Sequence, residues 1–135
     1  KNETVNLVLS YFKARAERRG VTIDIRADIP ERLDLPDADL CVIISNALEN
    51  AIKAVDAVDD RPRVITVHCH TKNDQLFLEI TNPFVGEVHV EDGAVRSEQG
   101  GGGLGTLSIA LIVEKHNGLL SFEAQDGNFS LRAIL

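Results

Sequence analysis

Cysteine is scarce in this chain. Only Cys41 and Cys69 occur, both within apolar helix and strand patterns where a buried reduced thiol is the ordinary case. No CxxC pair and no Cys/His zinc spacing accompanies them, so their usage fits a reducing, cytosolic setting. Long apolar runs are missing too: none approaches the roughly 20 residues that cross a bilayer, and no signal peptide opens the chain. Basic charge is in deficit, 14 Lys and Arg against 21 Asp and Glu, for a net charge of −7. That balance argues against a nucleic-acid partner held on a broad basic surface. At 135 residues the chain fits one domain, large enough for a real core.

What is present centres on Leu40 to Ala54, LCVIISNALENAIKA. Leu40, Ile44, Ala47, Leu48, Ala51 and Val55 recur at helical spacing and can bury one face. Asn46, Asn50 and Lys53 sit four and then three residues apart, which at roughly 100° per residue puts two carboxamides and an ammonium in one stripe. That stripe reads either as a solvated polar face or as a site, since Asn is a poor helix former. Carboxamide oxygens are hard ligands suited to Mg²⁺, which is usually completed by water and substrate phosphates, and a lysine meets phosphate as a point charge. A second stretch, GGGGLGTLSIALIVEKHNG over Gly100 to Gly118, runs four glycines into an apolar helical segment. A glycine run reads as a flexible linker or as backbone that lets an anion approach a helix start.

The remaining chain supplies two layers. Val5, Val8, Leu9, Phe12 and Ala16 form a helical stripe from the first residues, as if the chain opened in mid-helix within a longer protein, and Gly20 stops it. Val21 to Ala27 alternates as a strand, and Asp37 or Asp39 is placed to cap the central helix. Asp59 to Pro62 ends that helix. Strands are expected over Arg63 to His70 and Gln75 to Thr81, joined as a hairpin, with Asn82 in the same parity as Leu76, Leu78 and Ile80. His68 and His70 share the wet face, where exposed alternation explains them better than a metal pair without a third ligand. Phe84 to Gly103 lacks periodicity and is long enough to be functional or disordered. Its Val88, Val90 and Val95 are candidates to pack down over a ligand, while Glu87, His89, Glu91, Asp92 and Glu98 read as solvated. A largely buried helix over Leu107 to His116 ends at Asn117-Gly118, and Leu119 to Ala124 pairs with Phe129 to Leu135. Helices on one face of a mostly antiparallel sheet make an α+β two-layer sandwich.

NALENAIKA resembles the N box, and GGGLGT the G2 box, of the ATP-binding domain shared by gyrase, Hsp90, sensor histidine kinases and MutL. The resemblance covers nearly the whole chain, with both boxes in order. It implies the Bergerat fold, a two-layer α/β sandwich with helices on one face of a mixed, mostly antiparallel sheet, and makes residues 84–103 the ATP lid. It also implies ATP and Mg²⁺ as ligands: Asn50 on the metal, Asn46 and Lys53 lining the phosphates, and Gly101, Gly103, Leu104, Gly105 and Thr106 in the lid and its hinge. Where hydrolysing branches place a glutamate general base, four residues before the magnesium asparagine, this chain has Asn46, so hydrolysis is not the expected reaction. GLGTLSIALIVEKHNGLLSF resembles the histidine-kinase branch, Thr106 departing from its usual GLGL.

The adenine-reading Asp of that family would fall at Asn82, as in the quorum-sensing kinases related to the accessory-gene-regulator receptor. Asn82 still offers a carbonyl acceptor, though an uncharged and weaker one. The implied function is the catalytic domain of a two-component sensor histidine kinase, cytoplasmic and attached to a membrane receptor. Its partners would be a histidine-bearing dimerisation domain, since none of the four histidines here resembles the acceptor, and a response regulator, within a homodimer. Two other readings stay open: an anti-sigma-factor-type serine kinase, and a degenerate interaction platform that binds no nucleotide.

Overall fold

A computed structural model describes residues 2–86, 88–91, 94–97 and 103–135; of residues 88–91, 94–97, 103 and 104 it describes the backbone alone. Helix α1 (Glu3–Glu17) leads into β1 (Thr22–Asp28) and α2 (Asp37–Val55). Strands β2 (Val64–Lys72) and β3 (Gln75–Pro83) follow, then the short pair β4 (Val88–Glu91) and β5 (Ala94–Ser97). Helix α3 (Gly103–Lys115) and strands β6 (Leu119–Gln125) and β7 (Asn128–Ile134) complete the order. The main sheet runs β1-β2-β3-β7-β6, parallel only between β1 and β2. This is the expected α+β sandwich.

Strand parity separates the two faces of that sheet. One rung aligns Ile25, Val67, Ile80, Leu131 and Phe122, and the next aligns Ala27, Cys69, Leu78, Ala133 and Leu120. Most of these side chains join the core cluster with Val5, Leu9 and Phe12 of α1, Leu40, Ile44 and Leu48 of α2, and Ile109 and Val113 of α3. The alternate rungs are polar, Asp24, Thr66, Thr81, Ser130 and Glu123 in one and Arg26, His68, Glu79, Arg132 and Ser121 in the other. Thr81 and Ser130 hydroxyls share a 3.0 Å hydrogen bond there, and Arg132 donates to Glu79. A sheet with one buried and one wet face alternates in this way.

Both hairpins between long strands turn on left-handed pairs. Asn73 and Asp74 have φ of 52° and 63°, and Asp126 and Gly127 have 54° and 78°. Positive φ at both central residues matches the right-handed strand twist. Gly20, at φ 72°, ends α1 as expected.

Four expectations are corrected. The chain does not open in mid-helix: Asn2 caps α1 by accepting the Val5 N–H at 3.0 Å. Neither Asp37 nor Asp39 caps α2; Pro36 holds the N-cap position without a side-chain bond, and the two carboxylates reach other elements instead. The glycine-rich stretch is helical from Gly103, four residues earlier than the apolar pattern implies, because α3 begins inside the glycines. Nor is α3 largely buried over Leu107 to His116, for Leu107 and Leu111 are 49% and 58% exposed while, of that span, Ile109 and Val113 are the fully buried core residues. Within residues 84–103 the β4–β5 hairpin was not anticipated, and β5 runs beside α3. The proposed packing of Val88, Val90 and Val95, and the solvation of Glu87, His89, Glu91, Asp92 and Glu98, lie outside the described residues and side chains.

Candidate functional site

Helices α2 and α3 lie side by side in opposite directions. At one end Asp39 of α2 accepts from His116 Nε2 at 2.7 Å and from Lys115 Nζ at 3.2 Å. At the other, Asn46 and Asn50 of α2 face the first turn of α3. A Cβ placed on Gly105 would stand 3.4 Å from Asn50 Nδ2, 3.6 Å from Asn50 Oδ1 and 3.7 Å from Asn46 Oδ1. The two carboxamides are half-buried, and Lys53, one turn further along the stripe, is exposed. Thus the spacing that groups the three residues also directs the carboxamides at the N-terminal turn of a neighbouring helix. Free N–H groups and the helix dipole make such a turn an anion-binding position.

The glycines of the second box have different placements. Gly101 lies outside the described residues. Gly103 and Leu104 open α3, and Gly105 and Thr106 lie within its first turn, not in a bend before it. Gly105 has an ordinary helical φ, since no left-handed value occurs there; its lack of a side chain lets the α3 backbone come close to the Asn46 and Asn50 carboxamides. Thr106 is buried, 2% exposed.

Asn82 occupies the penultimate position of β3 and is 3% exposed, on the core-facing side with Leu76, Leu78 and Ile80 as its parity requires. Its Nδ2 donates to the Pro83 carbonyl at 2.9 Å. That bond fixes the carboxamide plane and leaves the oxygen as its other edge.

The hard oxygen donors beside the start of α3 are the Asn46 and Asn50 carboxamides. Among the described residues no group of three His, Cys, Asp or Glu is gathered. The donor set therefore suits a hard cation that arrives with phosphate and water, and not one held by protein alone. His68 and His70 are exposed on the polar sheet face, where His70 stacks on Phe77 with centroids 5.3 Å apart.

Thiol chemistry is disfavoured. Burial pushes the Cys69 thiol up to about 12, and burial together with the Asp37 charge raises Cys41, so neither is a thiolate nucleophile at neutral pH. The Asp39 carboxyl is held below its ordinary value by the hydrogen bond from His116 and then that from Lys115.

Three connections escaped the sequence. Asn2 is buried and its Nδ2 donates to Asp37 Oδ1 at 2.9 Å, joining the starts of α1 and α2. Arg15 of α1 pairs with Glu49 of α2. Arg61, read only as part of a turn, donates to two distant carbonyls. Each joins residues more than 20 positions apart, where periodicity carries no signal. No described helix is long and apolar enough to cross a membrane.

No curated protein sequence matches this chain. Among solved structures, it is similar to the catalytic domain of histidine kinase ThkA, with a TM-score of 0.76 and 14% identity over 98% of this chain and 89% of that one. It is similar as well to the mycobacterial sensor histidine kinase MprB, at TM-score 0.70 and 20% identity over 98% and 93%. Full-length ShkA in complex with AMPPNP aligns at TM-score 0.72 and 15% identity over 97% of this chain, which spans 28% of ShkA. At these identities the likeness establishes the fold. The sequence profile of the GHKL domain matches residues 35–135, from the loop before α2 through the last strand; the chain belongs to the GHKL domain family.

Proposed function

We propose that this chain is the catalytic, ATP-binding domain of a two-component sensor histidine kinase, taking Mg-ATP between the Asn46-Asn50-Lys53 stripe, the start of α3 and the strand end at Asn82. The observation that carries the reading is the approach of Gly105, in the first turn of α3, to the Asn46 and Asn50 carboxamides. An anion-binding helix turn and hard oxygen donors are then brought side by side, which suits a polyphosphate. The similar kinases, one of them solved with AMPPNP, support the choice of nucleotide.

In this reading the N–H groups at the start of α3 receive phosphate oxygens, Lys53 supplies a mobile positive charge, and the Asn82 carboxamide oxygen accepts from the adenine amino group. Asn50, with Asn46 beside it, would hold Mg²⁺, which when bound neutralises phosphate charge. Phosphoryl transfer needs mainly positioning and charge stabilisation, so a site without a protein nucleophile suffices. Asn46 cannot act as a general base, because a carboxamide does not take up a proton at neutral pH. Water at the γ-phosphate is thereby left without a base to activate it, and the phosphoryl group is reserved for a histidine on a separate dimerisation domain, with a response regulator as the next acceptor and a homodimer as the working form. Attachment to a membrane receptor, with this domain on the cytoplasmic side, belongs to the same proposal.

The chain alone, incubated with Mg-ATP, should release no ADP and label none of its own residues. Within its full-length protein it should generate an acid-labile phosphate. An acid-stable phosphate would instead support a serine kinase of the anti-sigma-factor type, and absence of nucleotide binding would support an interaction platform.

A further inference from the structure

Strand β3 ends at Pro83, opposite Asn128. That position is a non-hydrogen-bonded pair of the β3–β7 ladder, because Leu76 and Phe84, of the other parity, are the residues that bond to Leu135 and Gly127. Immediately beyond it, the Phe84 N–H donates to the Gly127 carbonyl at 3.0 Å. Arg61, in the connection between α2 and β2, reaches the same point: one terminal nitrogen of its guanidinium donates to the Phe84 carbonyl at 2.5 Å and to the Gly127 carbonyl at 3.1 Å. The group lies over the α-carbon of Gly127, where a Cβ would stand 2.8 Å from Nη1 and 3.2 Å from Cζ. Three segments far apart in sequence thus meet on one side chain, two residues from Asn82.

We infer that Arg61 is a positioning residue for the base-binding end of the site: it locks the end of β3 that carries Asn82 and the root of residues 84–103. The inference rests on the reading of Asn82 as the adenine acceptor. Hydrogen bonds from a charged donor are about twice as strong as neutral ones, so the guanidinium reinforces the last β3–β7 bond, from Phe84 to Gly127, at both of its residues. The Asn82 carboxamide is itself held by the Pro83 carbonyl, one residue before the clamped Phe84. Loosening Phe84 therefore loosens the group that would read the base, while the Asn46-Asn50-Gly105 end is built from other elements and stays as it is.

The test compares calorimetric binding of Mg-AMPPNP and of Mg-tripolyphosphate, which lacks the base, to the wild-type chain, Arg61→Ala and Arg61→Lys. Arg61→Ala should weaken AMPPNP about tenfold, the cost of losing charged hydrogen bonds, and leave tripolyphosphate within about twofold. Arg61→Lys keeps one donor to the pair of carbonyls and should fall between. In the nucleotide-free protein, hydrogen exchange at the Phe84 amide should accelerate in Arg61→Ala. Parallel loss of both ligands, or unchanged AMPPNP binding, overturns the positioning role. A wild-type chain that binds neither ligand overturns the nucleotide-site reading and this inference with it.

Discussion

Gly105 and Gly118, near the two ends of α3, are constrained in opposite ways. At the C-terminal end a Cβ on Gly118 would stand 2.3 Å from the Ile134 carbonyl oxygen and 3.1 Å from Val113 Cγ1, against backbone that cannot yield. At the N-terminal end the three nearest atoms to a Cβ on Gly105 belong to the Asn46 and Asn50 carboxamides, at ordinary contact distance. Gly118 is required by packing, because α3 turns directly into β6 with its backbone pressed on β7. Gly105 is not required by φ, and what its missing side chain allows is close approach of the α3 backbone to the Asn46 and Asn50 carboxamides. The same helix is thus closed at one end, where Lys115 and His116 meet Asp39, and set against two carboxamides at the other. The closed end serves the fold, and the other is the end proposed for the ligand.

That contrast can be broken from either side. The largest effect is expected at Asn50→Ala, which should weaken Mg-nucleotide binding about 100-fold, as loss of metal-site support does, with the thermal midpoint nearly unchanged. Gly118→Ala should do the reverse, costing about 2–3 kcal/mol of stability through overpacking in chemical denaturation, while the folded fraction binds nucleotide normally. Gly105→Ala sharpens the difference: it should gain up to about 1 kcal/mol of stability, alanine being the better helix former, yet weaken nucleotide binding measurably by placing a methyl against the two carboxamides. Stability and binding moving together in both glycine variants would mean that the two ends do not have separate roles.

The smallest effect concerns the closed end and acid. Asp39 is lowered from its ordinary 3.8 by His116 and then by Lys115, so its contribution is fully present above that value and is lost as pH falls through the lower folded value. Asp39→Asn should therefore flatten the acid limb of the stability profile below about pH 4 and leave nucleotide affinity at neutral pH unchanged. An acid limb identical to wild type would show that the carboxylate gains nothing from its two partners.

How far these features are legible in the sequence depends on their range. Period-two alternation is local, so β2, β3 and β7 and the inward parity of Asn82 follow from residues such as Leu76, Leu78 and Ile80. The buried face of α2 and the Asn46-Asn50-Lys53 stripe follow from the helical period in the same way. The start of α3 does not, because Gly103 and Gly105 are poor helix formers and only the contact of that turn with α2 makes it helical. Capping was misread for a related reason: Asp37 and Asp39 are good caps in isolation, but Asn2 and His116 compete for them from 35 and 77 positions away. The family boxes supplied the pairing of the two stretches, which no periodicity contains. Arg61 carried no signal, since an arginine in a turn beside Pro62 reads as solvated until the β6–β7 turn is brought to it.

The most direct test of the central claim, that α2 and the N-terminal end of α3 form a Mg-nucleotide site, is titration calorimetry of the 135-residue chain with AMPPNP, with and without Mg²⁺. The account predicts saturable binding that strengthens with Mg²⁺. Absence of binding at millimolar nucleotide, or binding indifferent to Mg²⁺, would contradict it.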